Sequence, residues 1–250
     1  MFSCADVAAA MRAILGLEGS PIAVKFLEQD ELDGYDRSAR RRFCQALMEA
    51  RAGRKVMLTP ANLVCPAAAA ALGFKPLPAP LASGQMLVNF GIFGTAEAGQ
   101  KTIEAMPRLA PGQYAAVALA PLEAVDFDPD VVVVEDLPER LMWLALAAQH
   151  EIGGRLKFST GILQATCVDG AIVPFQTGQI NASMGCYGCR DATDMPDTHA
   201  VLGIPGPMLE TVAANLEKLA RKAIPHVRQK LAYRQLEASG DCAREAGFSE

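Results

Sequence analysis

Four cysteines, scattered over the chain, set the main demand on its fold. Cys186 and Cys189 stand in Gly185-Cys186-Tyr187-Gly188-Cys189-Arg190, while Cys44 and Cys65 lie far upstream. If the four serve one site, the chain must carry three separated segments to one point. Thiolates at C-x-x-C spacing can clamp one metal ion or one edge of a cluster, and two more complete four-fold sulfur ligation. Gly185 and Gly188 let backbone N–H groups face a bound anion or a cluster sulfide. There is no second C-x-x-C, so the pattern is not a zinc ribbon.

The contexts differ. Cys65 precedes Pro66, which restricts its backbone and predicts a fresh helix over 66–72 with Cys65 as N-cap and Gly73 as its end. The positive end of that helix favours a thiolate. Cys44 lies on a predicted helix over 36–53, where it reads either as a ligand or as a small core hydrophobe. Cys167 falls in a predicted strand and reads as core rather than ligand; Cys4 and Cys242 lie near the ends and are set aside. A thioredoxin-type pair at Cys186–Cys189 is disfavoured, because such a pair opens a helix after a strand and this one reads as a glycine-rich loop.

Composition narrows the classes. Seven cysteines exclude a complete disulfide framework, and residues 1–19 lack a secretory signal, so a cytoplasmic location with reduced thiols is expected. A net charge of −5 argues against a nucleic-acid partner. No apolar run is long enough to span a membrane. Arg40-Arg41-Arg42 reads as a solvated helical face. At 51% hydrophobic, residues 1–238 can bury a core as one domain, or as two lobes hinged at the proline-rich stretch 75–80, with 239–250 a frayed tail.

The predicted elements are a capped helix from Ser3, strands over 21–27, 55–59, 86–90, 114–120 and 131–135, and helices over 95–106, 139–151 and 208–233. Ile162 to Pro174 reads as a hairpin turning at Asp169-Gly170. Together they predict an α/β or α+β fold, a mixed sheet flanked by helices with a Cys/Gly-rich loop. The apolar runs at 114–120 and 131–135 suit strands covered on both faces.

Beyond the cysteines, three residues are catalytic candidates. Lys25 sits among apolar residues on a strand and points to solvent or lines a cavity holding an anionic group. Arg190 offers a fixed charge beside the cysteine pair. His199 is the one histidine placed to act as ligand or proton donor. Nucleotide-binding and serine-hydrolase motifs are absent.

On these residues the chain resembles the family called domain of unknown function 169. The matching pieces are PIAVKF at 21–26, RFCQALMEARAG at 42–53, LTPANLVCPAAAAALGF at 58–74, and APLEAVDFDPDVVVVEDLPE at 120–139. GQINASMGCYGCRDATDMPD at 178–197 and VLGIPGPMLETV at 201–212 complete them. By that resemblance Cys44, Cys65, Cys186 and Cys189 fall on characteristic cysteines, joined in one reading by Cys167. His199 departs from it, standing where an acidic residue is expected. The resemblance implies no activity.

The leading expectation is a cytoplasmic iron–sulfur protein. One [4Fe–4S] cluster is held by Cys44, Cys65, Cys186 and Cys189 and serves redox or small-molecule chemistry. The partners expected are a small molecule or a redox protein, with homo-oligomerisation open. The alternatives are a structural zinc protein and a binder of a tetrapyrrole or another small cofactor.

Overall fold

The computed structural model describes residues 3–29 and 32–239; Cys242 and the tail from 240 lie outside the described residues. Six strands form one antiparallel sheet in the order β2-β3-β1-β4-β6-β5. They are β1 (Ile22–Leu27), β2 (Val56–Leu58), β3 (Ala116–Pro121), β4 (Val131–Asp136), β5 (Asn181–Ser183) and β6 (Ala200–Pro205). The expected α/β or α+β architecture is present in its α+β form, since among the described residues every pairing between the six strands is antiparallel.

Both sheet faces are covered, which is why β3 and β4 read as unbroken apolar runs. Side chains alternate across a strand. Val131 and Val133 enter one core together with Ile22, Val24, Val117 and Leu119. Val132 and Val134 enter the other with Ala23, Leu202 and Ile204. Each valine so buried contributes about 1.5–3 kcal/mol, and a one-residue register slip would exchange the two faces.

The second core is closed by α1 (Cys4–Leu15), and later in the chain by α7 (Pro138–Gln149) and α10 (Leu209–Ala220). Helix α1 begins in a capping box between Ser3 and Asp6 and ends at Gly16 in the left-handed region. The first core lies under α2 (Phe43–Arg51), α3 (Pro66–Ala71) and a π-helix, Ala165–Ile172. Between α3 and β3 run the short α4 (Ala79–Ala82) and α5 (Gln85–Asn89), then α6 (Ala96–Glu104), which Thr95 caps. The π-helix runs into α8 (Val173–Thr177), and α9 (Tyr187–Ala192) follows β5.

Several expectations give way to the structure. Residues 86–90 form α5 rather than a strand. The expected hairpin at 162–174 is the π-helix and the start of α8; its Asp169 N–H donates to the Gln164 carbonyl at 3.1 Å, an i→i−5 bond. Helix α2 starts only at Phe43, because Asp36 is taken up by a bridge to Val56 and accepts from Ser38 and Arg41. Arg41 is accordingly buried, paired with Asp36 and Glu49, so it is no solvated face. The expected helix over 208–233 breaks into α10, α11 (Ala223–Arg228) and α12 (Leu231–Ser239), with Pro225 in α11 and Lys230 at φ +51° between the last two.

Candidate metal centre

Helix starts aim the cysteines at one place. Cys44 lies in the first turn of α2. Cys65 is the N-cap of α3 with Pro66 behind it, as the sequence predicts. Cys186 is the N-cap of α9 and accepts from the Cys189 N–H at 3.4 Å. Cys167 sits in the first turn of the π-helix, whose start is marked by Gln164. All five line a single pocket of about 40 Å³ with Arg42, Gln164 and Thr166.

Local contacts hold the three segments in register. Arg42 donates from its guanidinium to the Gly188 carbonyl at 3.5 Å and pairs with Asp191 at 3.3 Å. Gln45 donates to the Ala192 carbonyl at 3.2 Å, which fixes the start of α2 against α9. Cys65 hangs on the loop 59–64, where Asn62 accepts from Thr59 N–H at 2.7 Å and donates to the Met57 carbonyl at 2.9 Å.

The sulfurs touch in parts. Cys186 and Cys189 Sγ are 3.1 Å apart, and Thr166 Oγ1 lies 3.7 Å from Cys189 Sγ. Cys44 Sγ lies 3.9 Å from the Gly188 carbonyl, and Cys167 Sγ 3.9 Å from that of Gln164. The five do not collapse onto one point. Among the described residues, three or more ligand atoms within 4.8 Å of one another occur only at Glu18, Asp136 and His199. Sulfurs around a single zinc at about 2.3 Å would sit about 3.8 Å apart.

Three of the thiols, Cys167, Cys186 and Cys189, are pushed toward their neutral form. Cys186 is raised by its contact with Cys189 and by burial. The Cys186 contact pulls Cys189 down, but the Cys44 contact and burial outweigh it and bring Cys189 up to about 11. Burial, then repulsion from Cys65, Cys186 and Cys189, raises Cys167 strongly. Such thiols are poor nucleophiles at neutral pH, yet a metal ion can displace their protons. Cys186 does open a helix after β5, so the sequence ground against a thioredoxin-type pair, its place in a glycine-rich loop, does not hold.

The catalytic candidates lie apart from the thiols or are already engaged. Lys25 lines a separate cavity of about 820 Å³ and pairs with Asp130 at 2.9 Å. Arg190 spends its guanidinium on the carbonyls of Met184 (2.9 Å), His199 (2.7 Å) and Pro196. His199 is buried, with Nδ1 2.7 Å from Glu135 and Nε2 3.4 Å from Glu18. Arg51 reaches Glu135 and Arg140 reaches Asp136, each at 2.5 Å. The two guanidinium groups leave the carboxylates beside His199 little unbalanced charge, so this cluster works as an ion-pair network.

Thr166, Gln164 and Arg42 line the pocket too, and nothing in their sequence spacing marks them. Cys167 is buried in the first core, as the sequence predicts, and lines the pocket as well, but on a π-helix where a strand is expected.

A family model described as DUF169, uncharacterised ArCR, matches residues 10–215. The chain belongs to this family. An uncharacterised protein of Methanocaldococcus jannaschii is 30% identical over 213 residues, covering 83% of this chain and 88% of that protein. No solved structure matches. Among the described residues of this DUF169 member, no helix is long and apolar enough to cross a membrane.

Proposed function

We propose that this DUF169 protein binds an iron–sulfur cluster, most simply one [4Fe–4S], in the cysteine pocket, and uses it for redox or small-molecule chemistry. One observation carries the reading: cysteines from four separated segments line the same buried pocket. Cys44, Cys65, Cys186 and Cys189 supply the four thiolates such a cluster takes. The starts of α2, α3, α9 and the π-helix, with Arg42 beside them, turn positive ends toward it. That field suits a cluster whose thiolates and sulfides carry net negative charge.

One feature favours a cluster over a zinc ion: Cys186 and Cys189 are close, but no three of the pocket sulfurs lie within 4.8 Å of one another, wider than one zinc ion requires. Free thiols and the absence of disulfides among the described residues suit the reducing cytoplasm.

The test is a visible spectrum with iron, zinc and sulfide analysis on protein purified without oxygen. A broad shoulder near roughly 400 nm with matching iron and sulfide is expected of thiolate-bound iron. A colourless protein with one zinc, or one without metal, would overturn the proposal.

A further inference from the structure

Five thiols line a pocket whose cluster takes four. Three belong together: Cys186 and Cys189 are 3.1 Å apart, and Cys44 Sγ reaches the carbonyl of Gly188, between them, at 3.9 Å. The remaining two, Cys65 and Cys167, differ in setting. Cys65 is partly exposed, while Cys44, Cys167, Cys186 and Cys189 are buried. Each buried thiol has a hydrogen-bonding contact of its sulfur, and Cys65 has none among the described residues. Cys65 and Cys167 line the same pocket, one from the start of α3 and the other from the π-helix. Finally, Cys167 is borne by a π-helix, a rare and costly turn often kept at functional sites.

We infer that Cys65 and Cys167 are interchangeable fourth ligands: the buried Cys167 can hold the cluster when Cys65, at the pocket's solvent side, lets go. The exchange is a proton-coupled ligand swap with no change of oxidation state. Cys167 gives up its proton as its sulfur binds iron, and Cys65 takes one up as it leaves. All four irons stay ligated through the exchange, and the released Cys65 thiol is left at the pocket's solvent side. This inference rests on the cluster reading, and Cys65 and Cys167 are ligands in it, not catalysts.

The test compares anaerobically reconstituted wild type, C65A, C167A and C65A/C167A by iron and sulfide content and by electron paramagnetic resonance. Wild type lacking both iron and sulfide would sink the cluster reading itself, separately from this inference. With the cluster present, each single variant should keep four irons, and the double variant should lose at least one and show a three-iron signal. Loss of iron in either single variant, or a complete cluster in the double variant, refutes the exchange. Should the double variant fail to fold, iodoacetamide decides the matter. Alkylation of Cys65 should slow on the order of tenfold or more from holo wild type to holo C167A, because the thiol is recruited to iron. An unchanged rate overturns the inference.

Discussion

Gly203 is the position at which the structure forecasts the sharpest response. It lies on β6, paired with Val133 of β4 and Asn181 of β5, so its backbone is fixed from both sides. A Cβ placed there would meet the Gly170 carbonyl oxygen at 2.1 Å and Pro174 Cγ at 2.6 Å. Real Cβ atoms essentially never approach closer than 3.0 Å, so Gly203→Ala must drive the π-helix off the sheet by about 0.9 Å. Neither Gly203 nor Gly170 has positive φ, so the new methyl introduces no backbone strain, and alanine should by itself gain about 0.5–1 kcal/mol through the unfolded chain. The clash is with backbone that cannot rotate away. The net loss is therefore expected at the upper end of the overpacking range, about 2–3 kcal/mol. Urea unfolding with a parallel iron titration measures it. Gly161→Ala is the control, since its nearest atom is Gln164 Oε1 at 3.8 Å, and its change should stay within about 0.5 kcal/mol. Wild-type stability and wild-type iron content in Gly203→Ala would refute the claim that close backbone contact sets the π-helix, and with it Cys167.

Arg190→Lys keeps the charge but loses the planar fork that reaches three carbonyls. It should cost about 1–2 kcal/mol in urea unfolding and lower metal retention, which iron analysis during chelator challenge reads. Asp169 is buried, and burial raises its carboxyl above the usual value despite the Thr160 hydroxyl that donates to it at 2.6 Å. Its contribution to stability is thus complete below the unfolded value near 3.8 and is lost as pH rises through the raised folded value. Urea melts of wild type and Asp169→Asn should converge toward acid and diverge in the variant's favour as pH climbs to neutrality; a constant difference would contradict this. Glu135→Ala leaves Arg51 and His199 without their shared partner and should cost about 3 kcal/mol, near the lower end for a broken buried pair since Arg51 keeps 16% of its side chain exposed. Guanidinium unfolding checks it.

Much of the site was legible wherever chemistry is local. Pro66 forces a helix to begin after Cys65, so that N-cap could be read directly. Val131 to Asp136 showed its burial on both faces as an uninterrupted apolar run. Asp169-Gly170 misled because the pair has the composition of a hairpin turn; in the fold its glycine serves the close approach to Gly203, a contact between distant segments. Arg41 reads as solvated for a different reason: it lies just before α2 and not within a helix over 36–53, which lets the nearby Asp36 and Glu49 pair with it. Convergence of the cysteines depends wholly on such long-range pairing, which residue spacing does not encode.

The strand order also governs when the site can come into being. Lys25 of β1 pairs with Ala118 of β3 and Val24 with Val131 of β4, so the first strand emerges from the ribosome without a neighbour. At about 5–20 residues per second, roughly 5–20 s pass before β3 follows. Closing so long a segment is slow on entropic grounds. Cys44 and Cys65 lie inside that segment, and Cys186 and Cys189 appear later still, next to the strand that completes the sheet. The pocket therefore forms only in a nearly finished protein, and a nascent chain carries Cys44 and Cys65 apart from Cys186 and Cys189 until the last strands arrive.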